Sequence, residues 1–437
     1  MQGVSRIAIA GALMLGLGGT VIALPASAKK KEPVAAAAPT DGFNPKNLSN
    51  EARPSLSAIQ TALAATPPDL ATAEAKLTEA DAAAKNESDR YIIAKFRLQV
   101  LNNKMQAMPE NQRNDMTLAD PLNALIANSI TPPAEKAQFT YIRGTIAYNN
   151  KDYAKAATLF TSARSLGYNK DDLALNLARA KVESGDVAGG IAELDTAVKA
   201  EQAAGRKPPQ DWYKYAVSHA IKANLPEQTN TWTQMWLANY GTKENWRTVI
   251  YTFGFSGPGA TRMNDRNRID LYRLMRVTNS LAGAKEYIDY ADASNKIGLP
   301  TEAKAVIKEG FDSKIIPAGN ATATDIAKQA SESIASDKPL AAQEKAAAGA
   351  AKGDLASQAG DAYLGERNYA KAAELYTLAA TKGVADMDRL NLHLGIAQAL
   401  GNDKENAKAT LLKVTTSPNA EIAKLWVTWL ASPPAAA

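Results

Sequence analysis

Residues 149–167 read NNKDYAKAATLFTSARSLG, and residues 365–383 read GERNYAKAAELYTLAATKG. No histidine, carboxylate or other metal ligand recurs at matching places in the two phrases. What recurs is a sequence of sizes: an aromatic, then alanines, then a large apolar residue, at helical spacing. A chain that repeats sizes rather than reactive groups is repeating a packing problem. That restricts it to architectures in which one small unit is stacked many times.

The frame extends beyond the quoted phrases. Gly144, Asp152, Tyr153, Ala156, Phe160 and Ala163 are followed 34 residues later by Ala178, Asp186, Val187, Gly190, Leu194 and Ala197. Small positions stay small and large apolar positions stay large. The later copy holds Gly360, Tyr363, Tyr369, Ala372, Tyr376 and Ala379, and after 35 more residues Gly395, Ala407, Leu411 and Val414. Small residues let two antiparallel helices approach closely. Tyr153 and Phe160 are expected to fill the space between one hairpin and the next. The turns NNKD and SGD suit helix breaks and caps. One hairpin cannot bury both faces, so hairpins must stack. Weaker units are expected at Leu70, Ala73, Leu77 and Ala80, at Ala291, Leu299, Ala303 and Ile307, and from Trp212 onward.

This pattern resembles the tetratricopeptide repeat (TPR) family, most closely over 137–200 and 353–416. The resemblance implies an all-α fold, an α-solenoid of stacked antiparallel helix hairpins forming a TPR-like superhelix. Its concave surface would be lined by first-helix side chains. Tyr141, Thr145 and Tyr148 share one face at i, i+4 and i+7, and Asn176 and Arg179 stand in the corresponding helix of the next unit. Such a surface would take an extended peptide or a partner helix. The lysine, asparagine and arginine clamp by which some family members hold a C-terminal carboxylate is not evident.

Around the repeats the chain divides by composition. Residues 1–28, MQGVSRIAIAGALMLGLGGTVIALPASA, have Arg6, an apolar run and a small-residue end, the layout of a secretory signal with cleavage expected after Ala28. The expected organisation continues with a Pro- and Ala-rich flexible linker over 29–52 and degenerate helical repeats over 53–136. TPR-like repeats over 137–204 and irregular aromatic and arginine-rich repeats over 205–310 come next. An Ala-rich helical segment over 311–352, C-terminal repeats over 353–430 and a tail over 431–437 complete it. Export, most simply to a periplasm, is the expected localisation. No further segment is apolar and long enough to span a bilayer.

The chain has no cysteine, which excludes disulfides, thiol catalysis and thiolate metal sites. The net charge of +5, or +4 once Arg6 leaves with the leader, is too mild to argue for nucleic acid. Its two histidines, His219 and His393, lack any carboxylate or second histidine at ligand spacing and are expected to be partly buried helix residues. The glycine cluster at 254–259 follows no strand and matches no phosphate loop. A helical solenoid ahead of a catalytic domain, as in some lytic transglycosylases, is not expected, because recognisable repeats run to about Ala420. No catalytic residue, metal or cofactor is assigned.

The most unusual stretch is 212–276. Four of the six tryptophans lie there, Trp212, Trp232, Trp236 and Trp246, followed by a helix carrying Arg262, Arg266, Arg268, Arg273 and Arg276. Two readings stand. In one the aromatics fill an irregular core and the arginines form a solvated basic face. In the other Trp212, Trp236, Arg266 and Arg273 belong to a binding surface, since such residues are enriched at contact hot spots. The expected function is a non-enzymatic scaffold or adaptor in the cell envelope that binds a protein or peptide. The alternative is a binder of envelope polysaccharide or peptidoglycan through 212–276.

Overall fold

A computed structural model describes residues 43–170 and 173–431. The expected leader and the tail after 431 lie outside the described residues. Among the described residues every regular element is a helix, and no helix is long and apolar enough to cross a membrane. The chain forms two compact units that divide between Pro208 and Pro209.

The first unit contains α1 (Arg53–Ala64), α2 (Leu70–Ala83), α3 (Glu87–Ala107), α4 (Ala119–Ala127), α5 (Pro133–Asn149), α6 (Tyr153–Ser165), α7 (Leu173–Glu183) and α8 (Val187–Ala203). Each helix packs on the next, so the unit is a row of antiparallel hairpins. The repeated letters explain how α5 and α6 meet. A Cβ on Gly144 would lie 2.8 Å from the Phe160 ring, so the missing side chain is the seat for that ring. Phe160 is fully buried, worth about 2–3 kcal/mol of apolar burial. The aromatic therefore fills the crossing within its own hairpin, not the space between hairpins that the sequence suggested. In the second unit Gly360 and Tyr376, and Gly395 and Leu411, repeat the contact at 2.7 and 2.6 Å.

The turns follow an equally local logic. Lys151 and Gly185 take positive φ, at 65° and 99°, reversing the chain after α5 and α7. The next residues, Asp152 and Asp186, accept from the backbone N–H of Lys155 and Gly189 and so cap α6 and α8. Asn368 and Asp403 perform the same role after Arg367 and Asn402.

Residues 43–52 correct the expected flexible linker. Leu48 and Ala52 are buried, and the Phe43 ring lies 5.1 Å from that of Tyr91. Asp89 accepts from the Ser49 N–H, and the Arg53 guanidinium donates to the carbonyls of Pro45, Lys46 and Leu48. The segment thus covers the apolar edge of α1 and α3.

The second unit contains α9 (Gln210–Lys222), α10 (Pro226–Tyr240), α11 (Lys243–Gly254), the single turn α12 (Gly257–Ala260), α13 (Asp265–Val277), α14 (Ala284–Lys296), α15 (Pro300–Asp312), α16 (Ala321–Ser336), α17 (Leu340–Gly349), α18 (Asp354–Gly365), α19 (Tyr369–Lys382), α20 (Met387–Leu400), α21 (Lys404–Leu411) and α22 (Asn419–Ala431). Hairpins recur, but this unit is not an open row. Helix α22 packs against α10 and α13 as well as α20 and α21, and α18 meets α15. Gly365 permits that meeting, since a Cβ there would sit 3.1 Å from the Glu302 Cβ. Asn267 donates to Asn419 at 2.8 Å across the same seam. The later half of the unit therefore lies against its earlier half. The aromatics of 212–246 sit inside: Trp212, Trp232, Trp236 and Trp246 are all buried, and the Tyr213 ring meets Trp232 edge-on at 5.8 Å.

Candidate functional site

The groove residues expected in the first unit are spent on packing. Tyr141, Thr145, Tyr148 and Asn176 are each at most 4% exposed. Tyr141 stacks on Tyr168 at 4.5 Å and accepts a 2.8 Å hydrogen bond from Asn176 Nδ2. Thr145 Oγ1 donates to the Tyr141 carbonyl one turn back. Tyr148 lies 5.3 Å from Tyr153. Burial raises its hydroxyl to about 12, with Glu183 adding to the rise and Arg179 opposing it. The structure thus joins Tyr141 to Asn176 as a contact between hairpins, while Tyr148 packs on Tyr153 within its own hairpin. The physical reason is size. First-helix aromatics this large fill the interval between adjacent hairpins before they reach the surface. Of this group Arg179 alone is half-buried rather than buried.

In the second unit Trp212 and Trp236 are core residues, 7% and 4% exposed, so neither ring is open for stacking on a sugar. Arg266 is half-buried on α13. Arg273 is the informative position. The expected solvated basic helix instead turns Arg273 and Arg276 inward.

Arg273 is 5% exposed and donates through Nε and Nη2 to the two oxygens of Glu302, at 2.9 and 2.6 Å, and through Nη1 to Asp270 at 2.9 Å. Tyr290 donates to Glu302 at 2.5 Å. Burial pushes the Glu302 carboxyl up, but Arg273 outweighs it and the group is held below its ordinary value. The other Asp270 oxygen faces His393 Nε2 at 3.2 Å, and His393 Nδ1 faces Asp361 at 2.7 Å. Tyr376 donates to the same Asp361 oxygen at 2.6 Å. Burial pulls the His393 imidazole down. Asp270 and Asp361 more than reverse this and hold it at about 9. Asp361, raised by burial and lowered more strongly by His393, stands at about 2. One continuous hydrogen-bonded network therefore crosses α13, α14, α15, α18, α19 and α20. The sequence shows no carboxylate beside either histidine; the fold brings two to His393.

Two cavities open beside this network. The first, of about 260 Å³, is lined by Arg273, Arg276, Arg367, Glu302 and Glu309 with Val277, Tyr290, Leu364, Gly365, Tyr369 and Leu400. The second, of about 450 Å³, is lined by Lys243, Glu244, Arg247, Arg276 and Glu309 with Asn279, Ser280, Leu281, Ala282, Tyr287 and Ile315. Arg276 and Glu309 belong to both walls. Glu309 Oε2 accepts from Arg276 Nε at 2.8 Å, Arg276 Nη2 at 2.5 Å and Arg367 Nη2 at 3.0 Å. Arg247 pairs with Glu286, while its Nε is buried without a hydrogen-bond partner. Among the described residues no group of histidines and carboxylates could hold a metal ion. The His219 ring lies 4.2 Å from that of Tyr215, tilted by 32°, and burial, followed by Lys222, holds it below its ordinary value.

No protein-family model matches this chain, and no curated protein matches it in sequence. Among solved structures it is similar to a chain in a structure of Naa15/Naa10 bound to HypK-THB. The identity is 14%, the match covers 84% of this chain, and the TM-score is 0.29. The chain spans 63% of the length of that relative.

Proposed function

We propose that the chain is an exported, non-enzymatic scaffold that binds a protein or peptide partner in the cell envelope. The observation that carries this reading is the architecture itself. Helical hairpins are repeated for their packing contacts, and repeat stacks of this kind serve recognition by the side chains left at their surface. In the first unit those are Arg179 and the exposed Glu183 on α7; in the second they are the arginines and glutamates around the two cavities. Export rests on the leader-like residues 1–28. The polysaccharide alternative loses its support, because the tryptophans meant to stack on sugars are in the core.

Photo-crosslinking amino acids placed at Arg179 and at Arg367 in the full chain, expressed in a bacterial envelope, test this reading. A discrete adduct to one other protein, released with a mature chain that begins at Lys29, is expected. No discrete adduct from either position, or a chain retained in the cytoplasm with its first 28 residues intact, overturns it.

A further inference from the structure

We infer that the paired cavities of the second unit form a carboxylate-binding site, with Arg276 and Arg367 as its cationic jaws. This rests on reading the chain as a binding protein and adds the chemistry of what is bound. The cavity walls carry five cationic side chains and three carboxylates. Of those carboxylates, Glu302 is saturated by Arg273 and Tyr290 inside the core. Glu309 is left to serve two guanidinium groups that arrive from different elements, Arg276 on α13 and Arg367 in the turn after α18. Both donate to one oxygen of Glu309, although a guanidinium carries five N–H donors and matches a carboxylate two bonds at a time. Arg247 adds a buried N–H with no acceptor on the wall of the larger cavity. The partners of Arg273 and Arg247 outside the walls, Asp270 and Glu286, do not face either cavity.

With Asp270 and Glu286 included the charges balance, so the surplus is one of hydrogen-bond donors, located in space large enough for a small acid. A second carboxylate entering beside Glu309 would satisfy both arginines bidentately. The carboxylate could belong to a free dicarboxylic acid or to an acidic peptide segment, and the two cavities joined at Arg276 suit a ligand with two such groups.

Isothermal titration calorimetry of the full chain at low ionic strength tests this, with glutarate and an N-acetylated Glu-Glu dipeptide as probes and glutaramide as the uncharged control. Saturable binding of at least one charged probe and none of glutaramide is expected. Glutarate alone would identify a free acid as the source, and the dipeptide alone would identify a peptide. Arg367→Gln, at a half-exposed turn, should weaken binding by about tenfold or more. Glu309→Gln should strengthen it, because it removes the internal competitor; a residue of purely structural value would not do so. Absence of saturable binding up to about 10 mM of both probes, or affinities unmoved by both substitutions, overturns the inference. The outcome is independent of whether crosslinking captures a protein partner, so this proposal and the scaffold reading can fail separately.

Discussion

The raised His393 imidazole makes a prediction that can be checked on the unmodified protein. The groups facing it are Asp270 from α13, Asp361 from α18 and Tyr376 from α19, with Arg273 behind Asp270. In the unfolded chain the imidazole titrates near 6.5; in the folded chain it titrates at about 9. Because the folded value is the higher one, the stabilisation is complete below 6.5 and is lost as pH rises through about 9. At 1.36 kcal/mol for each pH unit, the contribution is about 3 kcal/mol. Asp361 stays ionised throughout this window, since its carboxyl is held at about 2. The chain has two histidines, so NMR of histidine-labelled protein shows only two imidazole titrations. One, His219, should fall below 6.5, and the other, His393, should lie near 9. Denaturant unfolding between about pH 6 and about pH 10 should then show the advantage of the natural chain over His393→Gln shrinking by about 3 kcal/mol. Lysine and tyrosine titrations elsewhere are common to both proteins and cancel in that difference. Two imidazoles titrating at or below 6.5, or an advantage that stays constant with pH, would refute the account of the network.

Three further substitutions probe the packing. Gly144→Ala drives a methyl group into the Phe160 ring and should cost about 1–3 kcal/mol by chemical denaturation; Gly144→Ala with Phe160→Leu should recover part of the loss, and equal stabilities would contradict the close crossing. Arg273→Met strands Glu302 and Asp270 in the core and should cost about 3–5 kcal/mol, read as a lower denaturation midpoint; an unchanged midpoint would contradict the buried pairing. Gly185→Ala asks an L-residue to adopt a φ of 99° and should cost about 1–2 kcal/mol; an unchanged midpoint would mean that the turn can reshape.

The part of the fold that could be read from the sequence is the part written over short distances. The close approach at Gly144 and the caps at Asp152 and Asp186 lie within one repeat and show in the phrase itself, whereas the seat of Phe160 did not: size alone does not say whether the ring fills its own hairpin or the space beside the next. The closure of the second unit was not legible, because Asp270 and His393, or Asn267 and Asn419, are brought together from more than 120 residues apart with no periodic trace. The groove residues were misread for a related reason. Tyr141, Thr145 and Tyr148 do share a face, but helical spacing does not say whether that face meets solvent or the neighbouring hairpin. Here Tyr168 stacks over Tyr141 and closes it off. For Arg273 the sequence offers a solvated basic face or a binding surface, and its burial is not legible, since a run of arginines with few local acids looks exposed until Glu302 and Glu309 arrive from α15.

The return of α22 to α10 and α13 gives the two units different ways of coming apart. A linear row in which each hairpin touches only its neighbours can fray one hairpin at a time and can tolerate a repeat gained or lost at its edge. Between α10 and α22 a loop joined to itself offers no free end from which to peel. Its amide protons should exchange together through a single opening, and an extra hairpin spliced into it would break the seam rather than lengthen the stack.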